Sequence, residues 1–519
     1  MSSIKKFTAR LLKQRDGTVL APYVIRSRKP LFAGICMLLS ACAVGPDYKR
    51  PALETPVQFK ENKGWVQAAP LAVSARGAWW TVFADATLNT LEPRVTQANQ
   101  SLRASYYAYQ QALALTDMAR AAEFPTLGTS VSSTRSSSGG GTATGGGTAT
   151  GIGATGATPI ITGKTFGFGA SWAPDFWGKV RRQVEADEAS ALASLDNLLA
   201  AQLSLQTTLA QDYFQIRQID SQIALAQSTV SAYEKFLQLT QNRYAAGVAT
   251  TADVALAQSQ LANARVQLAA FNVQRPQLEH AIAVLIGEAP ANFSLPAMPS
   301  LPQPRAIPAG LPSQLLLRRP DLGASERQVA AANAQIGVAV SAFFPALTLS
   351  AQRGWRSSTF ANLVSAPNAF WSVGPSLAET LFDAGARSAL VAQNRNAYQQ
   401  AVAQYRQLGL QALQQVEDQL AALAALADES QLQLQAEAAA DESLRLATNQ
   451  YKAGIVTYLN VITAQTNSYT AHNATLQIAG QQLTANVALI QALGGGWGDD
   501  EQPALGASVV AEQSDTKEN

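Results

Sequence analysis

The sequence predicts a mixed, mainly α fold: a chain with an internal two-fold repeat, two membrane-type β-strands in each copy, and helices longer than any globular core is thick. Three observations carry this. Asn242-Arg243-Tyr244-Ala245-Ala246-Gly247-Val248-Ala249-Thr250 returns as Asn449-Gln450-Tyr451-Lys452-Ala453-Gly454-Ile455-Val456-Thr457, an offset of 207 that also maps Gly178 onto Gly385. The 68 residues between Gly178 and Gly247 contain no glycine or proline, and the 68 between Gly385 and Gly454 contain only Gly409. At 1.5 Å per residue such helices reach about 100 Å. Before each long helix, apolar residues alternate with small or polar ones: Phe166, Phe168, Ala170 and Trp172 in the first copy, then Trp371, Val373 and Leu377 in the second.

Taken in order, residues 1–41 read as a signal peptide. Lys5, Lys6, Arg10, Lys13, Arg15, Arg26, Arg28 and Lys29 precede an uncharged apolar stretch, 31–39, too short to span a bilayer. It ends in Leu39-Ser40-Ala41-Cys42, which resembles a bacterial lipobox. By that resemblance Cys42 becomes the acylated, palmitate-bearing first residue of a mature lipoprotein, and Ala43 in place of aspartate favours release to the outer membrane. Each buried acyl methylene contributes about 0.8 kcal/mol to the anchor. Residues 42–78 form the lipid-anchored N-terminal segment.

The first repeat, 79–288, opens with a helical run from Trp79 to Phe124-Pro125, followed by a Thr/Ser/Val-rich strand, 126–137. In the long helix Leu192, Leu195, Leu199, Leu209, Phe214, Ile216 and Ile223 recur at helical spacing, a coiled-coil signal. After the Gly247 tip a second helical stretch, 248–275, makes a hairpin. Seven prolines within 289–312 predict an extended linker. The second repeat, 313–493, has Phe344-Pro345, then Leu347, Leu349 and Ala351, and a helical stretch 455–479 after the Gly454 tip. Residues 494–519, polar, glycine-rich and acidic, read as a disordered tail. Strands of about ten residues suit a tilted membrane crossing. Four of them cannot close a barrel, and open edges are not tolerated in lipid, so several chains must share one.

Composition excludes other classes. Charged residues make up 14% of the chain and hydrophobic ones 47%. Eight of the 38 basic side chains fall in the first 41 residues, so the remainder is net acidic and offers no patch for nucleic acid. Two cysteines and two histidines are too few for a zinc cluster, a thiol pair or a disulfide framework. His280 and His472 lie on helical stretches without carboxylate or cysteine spacing and read as structural. Gly151-Ile152-Gly153-Ala154-Thr155-Gly156 matches a dinucleotide-binding fingerprint, but it sits in a Gly/Thr-rich run, 139–163, better read as a loop between strands. Gly163-Lys164-Thr165 lacks the first glycine of a P-loop, since position 158 is threonine. Trp79-Trp80 reads as a core or interface pair. No nucleophile–base constellation is present, so neither a catalytic residue nor a cofactor is expected.

These parts resemble one family: the TolC-like outer-membrane factors, in the lipoprotein branch serving resistance–nodulation–division (RND) efflux pumps. The resemblance rests on Cys42-Ala43-Val44-Gly45-Pro46-Asp47-Tyr48, on Trp79-Trp80-Thr81-Val82-Phe83 with Asp85 and Leu88, and on the two tip motifs. Most specific is the stretch 317–350, with Arg318-Arg319-Pro320-Asp321, Glu326, Asn333, Ile336-Gly337 and Phe344-Pro345. It implies a homotrimeric outer-membrane β-barrel, four strands per chain, continued by an α-helical coiled-coil barrel across the periplasm. It implies a passive exit duct for small molecules such as drugs, with a periplasmic adaptor and an inner-membrane RND transporter as partners. Ala246, Gly247 and Val248, with Ala453, Gly454 and Ile455, would be the adaptor-docking tips.

The resemblance also implies an entrance gate in which Asp253 bonds Tyr451, a charge-assisted contact of about 1.5–3 kcal/mol. The alternative makes these two a helix-start and a packing residue. A second family link needs threonine and arginine, where this chain has Ala252 and Val456. Asn460 and Thr463 stand at the ring positions without charge, and Leu459 is placed to form an apolar constriction. Type I secretion or metal-ion efflux is the alternative within the class; outside it stands a lipid-anchored structural coiled-coil protein, which would need no paired membrane strands.

Overall fold

The computed structural model describes residues 44–54, 56–61, 78–137, 160–302 and 318–495. Its main elements are α1 (Ala86–Ala98), α2 (Gln100–Ala121), β1 (Thr126–Ser137), β2 (Ile160–Trp172), α3 (Lys179–Ala245), α4 (Thr251–Leu285), α5 (Pro320–Ser341), β3 (Ala346–Ser357), β4 (Ala369–Ala378), α6 (Ala386–Lys452) and α7 (Tyr458–Ala492). The long helices α3 and α6 each span 67 residues, α4 and α7 each 35, and both pairs are displaced by the 207-residue offset of the tip motifs. None of the helices is long and apolar enough to cross a membrane, among the described residues. Cys42, the tail beyond Gly495, prolines 304, 308 and 312 of the linker, and the glycine-rich fingerprint at 151–156 lie outside those residues. That fingerprint is followed by strand β2, where a dinucleotide site needs a helix.

The four strands form one antiparallel sheet in the order β1-β2-β3-β4. Its register gathers the large apolar side chains on one face, although Thr129, Ser133, Arg135, Thr162, Lys164 and Arg353 lie there too. Leu127, Val131, Phe166, Phe168, Trp172, Leu347, Leu349, Trp355, Trp371, Val373 and Leu377 share one face. The other carries Gly128, Ser130, Ser132, Gly163, Thr165, Gly167, Gly169, Ser350, Gln352, Ser372 and Gly374, with Ile161 and Phe370 at its far end. Apolar-out, polar-in alternation at period two is the pattern of a barrel wall between lipid and water. At the strand ends nearest the helices, Trp172 donates its indole N–H to Glu123 O at 2.9 Å and Trp177 to Pro345 O at 2.7 Å. These indoles have an apolar body and one polar bond, as residues at a membrane interface do.

The helices pack along their length, α3 against α4, α5 and α7, and α6 against α7 and α5. The largest core lies where the N-terminal elements cross them. Trp79, Trp80, Phe83, Leu88, Leu91 and Val95 bury against Leu209, Tyr213 and Phe214 of α3, Val416 and Leu420 of α6, and Leu483 and Val487 of α7. Burying each large apolar side chain there contributes about 1.5–3 kcal/mol. Trp79 and Trp80 meet edge to face, ring centroids 5.9 Å apart, inside this core.

Two expectations change. The run expected from Trp79 onward is broken twice, because Ala84 turns left-handed (φ 51°) and Asn99 is extended. Asp85 caps α1 by accepting from the N–H groups of Thr87 and Leu88, and Asn99 caps α2 by accepting from Leu102. The returning helices also run further than 275 and 479. Pro276 sits inside α4 at the cost of its bond to the Asn272 carbonyl, and Gly480 leaves room in α7 for Gln218, whose Oε1 occupies the space a Cβ would need.

The segment from Val44 to Glu61 is strapped to the helices. Arg182 donates to Val44 O and to the Asp47 carboxylate, Asn333 to Pro46 O, and Tyr48 to Glu326; the backbone N–H groups of Lys60 and Glu61 donate to Glu417. Gly45 fits because a Cβ there would stand 2.5 Å from Gly337 Cα. These contacts place Val44 at the strand end of α3.

Candidate functional site

The expected duct needs a wall and a mouth; the sheet is the candidate wall, and the hairpin tips are the candidate mouth. Each tip ends its long helix with a glycine in the left-handed region, Gly247 at φ 74° and Gly454 at φ 75°. Gly247 N–H donates to Tyr244 O at 2.9 Å and Val248 N–H to Arg243 O at 2.8 Å; Gly454 and Ile455 repeat this on Tyr451 O and Gln450 O at 3.0 and 2.9 Å. These bonds satisfy carbonyls that a helix end leaves free, and a β-carbon would strain the turn. Ala246, Gly247, Val248, Ala453, Gly454 and Ile455 are all exposed, and nothing lies within 4 Å of a Cβ added at either glycine.

The expected bond between Asp253 and Tyr451 is not made. Asp253 Oδ2 accepts from the backbone N–H of Thr250 at 2.8 Å and from its hydroxyl at 2.9 Å, while Thr250 Oγ1 accepts from Asp253 N–H at 3.2 Å. This reciprocal capping box uses the carboxylate locally. The Tyr451 hydroxyl is buried and has no hydrogen-bond partner among the described residues. Tyr451 is held through its ring and backbone instead. The Arg243 guanidinium lies over the ring, 4.6 Å from its centroid, and Nη1 donates to Tyr451 O at 3.1 Å. Tyr458 packs against the same ring at 5.5 Å, and its own hydroxyl is pushed up to about 12, first by burial and then by neighbouring tyrosines and Asp253. Within the single chain Asp253 thus caps the start of α4, and Tyr451 packs between Arg243 and Tyr458. Arg243 was legible as an asymmetry, since its counterpart in the second motif is Gln450.

Leu459, Asn460 and Thr463 are exposed together on the first turns of α7, where Thr463 Oγ1 donates to Leu459 O at 3.0 Å. No charged group stands among these three. Farther from the tip, His472 departs from its unpartnered reading. Its Nδ1 lies 3.0 Å from Glu437 Oε1 and its Nε2 3.0 Å from Asp441 Oδ2. Ser468 donates to Asp441 Oδ1 at 2.6 Å. Both carboxylates come from α6, so spacing along α7 could not reveal them. They lie beside opposite ring nitrogens and tie two helices together, and one ligand atom from each of the three residues lies within 4.8 Å of the others, close enough to hold a cation. His280 is exposed on α4.

Sequence reading also missed Glu92. It is fully buried at the edge of the main core, neither carboxylate oxygen has a partner among the described residues, and burial pushes its pKa up to about 9. It is a neutral acid at pH 7.

The comparisons with known proteins agree with this geometry. The model of the outer membrane efflux protein family matches residues 93–288 and 311–495. The cation efflux system protein CusC of Escherichia coli O6:H1 is 29% identical over 468 residues, which covers 89% of this chain and 97% of that protein. The toluene efflux pump outer membrane protein TtgF of Pseudomonas putida is 30% identical over 481 residues, 90% of this chain and 96% of that one. Among solved structures, the outer-membrane channel OprN superposes with a TM-score of 0.79 at 26% identity, covering 88% of this chain and 100% of the other. With a sheet divided into lipid and water faces and paired helical hairpins beneath it, the chain belongs to the outer membrane efflux protein family and is an outer-membrane efflux channel.

Proposed function

We propose that three copies close one barrel and one helical tunnel, and that this duct is the passive exit of a tripartite pump. The sheet carries the reading: β1 and β4 each have one unpaired edge, and lipid tolerates no open edge. Helical hairpins as long as α3–α4 and α6–α7 suit the crossing of the periplasm to an adaptor and an inner-membrane RND-type transporter. The exposed tips around Gly247 and Gly454 are the docking surface, two per chain and six per trimer. Leu459, Asn460 and Thr463 line the entrance, with Leu459 as its apolar constriction. Arg243 takes the closing role that the family link would give Asp253. Acylation at Cys42 anchors the mature N-terminus, and the attachment of Val44 at the strand end of the helices supports an anchor just upstream.

Relatives at 29% and 30% identity carry cations and toluene in their names. We take the cargo to be selected by the transporter and not by the duct, which leaves drug-like solutes and metal ions as alternatives for the same channel. The experiment is a drug- and metal-ion-susceptibility assay with adaptor cross-linking on Gly247→Trp and Gly454→Trp. Both variants should still insert as trimers but lose resistance and adaptor cross-links. Full resistance with normal cross-links would place docking elsewhere on the helices.

A further inference from the structure

The strands carry cations and no anions. Between Thr126 and Trp172, and again between Ala346 and Ala378, the charged residues are Arg135, Lys164, Arg353 and Arg356, without a single Asp or Glu. None of the four takes part in an ion pair among the described residues. Three of them point where a charge is least expected. Arg135 pairs across the sheet with Thr162, Lys164 with Ser133 and Ser357, and Arg353 with Phe168 and Trp371. That register puts all three on the apolar face, with Leu127, Val131, Phe166 and Trp355. Arg356 pairs with Thr165 and faces the other way.

A cation on the lipid face is disfavoured at the bilayer midplane, and the cost fades towards the headgroups. Arg135 and Lys164 lie in the outer half of their strands, counted from the helices. Arg135 is a diagonal neighbour of Lys164, about 7–8 Å away along the face. The Lys164 ammonium is held 3.7 Å from the centre of the Phe360 ring, which fixes its place at the rim without neutralising it. Beside these cations lies an aromatic platform. Phe166 and Trp355 stack at 5.8 Å with planes 11° apart, and Phe168 meets Phe166 edge to face at 5.4 Å. The face thus presents Arg135 and Lys164 at headgroup height, with flat apolar surface beside them and Arg353 about 13 Å deeper, beyond the Phe166–Trp355 rings, from where its long side chain can snorkel upward.

We propose that this patch, Arg135, Lys164 and Arg353 over the Phe166–Trp355 platform, binds a phosphate-bearing lipid of the outer leaflet. Its phosphates would be taken by the three cations and its acyl chains would lie on the aromatic rings. Charge complementarity chooses the occupant. A neutral lipid would leave three cations unpaired in the membrane, whereas Arg and Lys form their strongest hydrogen bonds with phosphate. The proposal rests on the barrel reading above. That reading fixes which face meets lipid, and conductance tests it separately.

The test is native mass spectrometry of the purified channel titrated with diphosphoryl lipid A, with diacylglycerol as the neutral, phosphate-free lipid. The partner variant is the triple substitution Arg135→Gln, Lys164→Gln and Arg353→Gln. Each cation near a membrane surface contributes enough that losing three should weaken lipid A binding about a hundredfold, while diacylglycerol binding stays unchanged. Lys164→Gln alone should weaken it about fivefold. Conductance in a planar bilayer and heat-modifiable gel mobility report whether the variant barrel has formed. Should the triple variant fail to fold, Lys164→Gln carries the test. Equal lipid A affinity in a conducting variant would overturn the proposal and leave the channel intact, as would equal affinity of the unsubstituted protein for the two lipids. Full displacement of lipid A by inorganic phosphate at matched concentration would overturn the lipid platform as well.

Discussion

The two hairpin tips share a backbone and differ in what holds them. Both end in a left-handed glycine and make the same pair of turn bonds, 207 residues apart. At the first tip Tyr244 is 50% exposed, and Thr250 and Asp253 cap the returning helix with two side chains. At the second, Tyr451 is 4% exposed, Thr457 makes no side-chain cap, and Asn460 stands where the box would need an acid. The first tip is stabilised by its own sequence. The second borrows a residue, Arg243, from the first. A repeat can therefore keep one turn geometry while one copy becomes self-sufficient and the other becomes a dependent, releasable part.

The largest expected effect is a background against which the tips can be read. Glu92 lies in the main core, away from either tip, with a pKa raised from 4.5 to about 9. In the unfolded chain it ionises above pH 4.5, but in the native state it stays protonated. Native stability is therefore undiminished below that pH and falls as pH rises towards 9. At pH 7 the penalty is roughly 3 kcal/mol. Glu92→Gln should raise the melting temperature at pH 8 and leave it unchanged near pH 4. Single-channel conductance should not move, and a shift there would couple the core to the mouth.

Arg243→Ala should break the comparison itself. It removes a charge-assisted bond to Tyr451 O and a cation–π contact, together worth about 2 kcal/mol at this half-buried site. Hydrogen exchange at residues 451–455 should accelerate about thirtyfold, with a matching rise in open-channel probability. Gln450→Ala, the same position in the other motif, should change neither, because surface substitutions of this kind stay within about 0.5 kcal/mol. Equal effects from the two variants would mean that the tips are equivalent.

Asp253→Ala tests the self-sufficient tip. Losing the box should cost about 1 kcal/mol and speed exchange in the first turn of α4. Asn460→Asp is the converse: beside Thr457 it supplies the missing half of a box and should slow exchange at the start of α7 by a factor of about three.

How far the sequence foretold these details depended on how local their causes are. The repeat, the tip glycines and the strand alternation were readable because each depends on periodicity or on a backbone angle set within a few residues. The bounds of α4 were not, since Pro276 ordinarily ends a helix and is tolerated here inside one. The partners of His472 and the burial of Glu92 depend on a neighbouring helix, and no pattern along one segment encodes that. Asp253 shows the opposite case, within the single chain. The family pattern assigned it a distant tyrosine, and the nearer threonine claimed its carboxylate.

The smallest expected effect separates the two accounts of the mouth. If Tyr451 were tied through its hydroxyl to Asp253, Tyr451→Phe would loosen the closed state by about 1.5–3 kcal/mol, the value of a bond to a charged group. The hydroxyl is instead buried without a partner, so its removal discards an unpaired polar group and keeps the ring over which Arg243 lies. Stability should stay within about 0.5 kcal/mol of the parent or rise slightly, and conductance should be unchanged. Combining Tyr451→Phe with Asp253→Ala should give the sum of the single effects, because the two side chains share no bond. A conductance rise in Tyr451→Phe that Asp253→Ala does not increase further would show that the pair is joined in the assembled channel, and that the second tip depends on Asp253 as well as on Arg243.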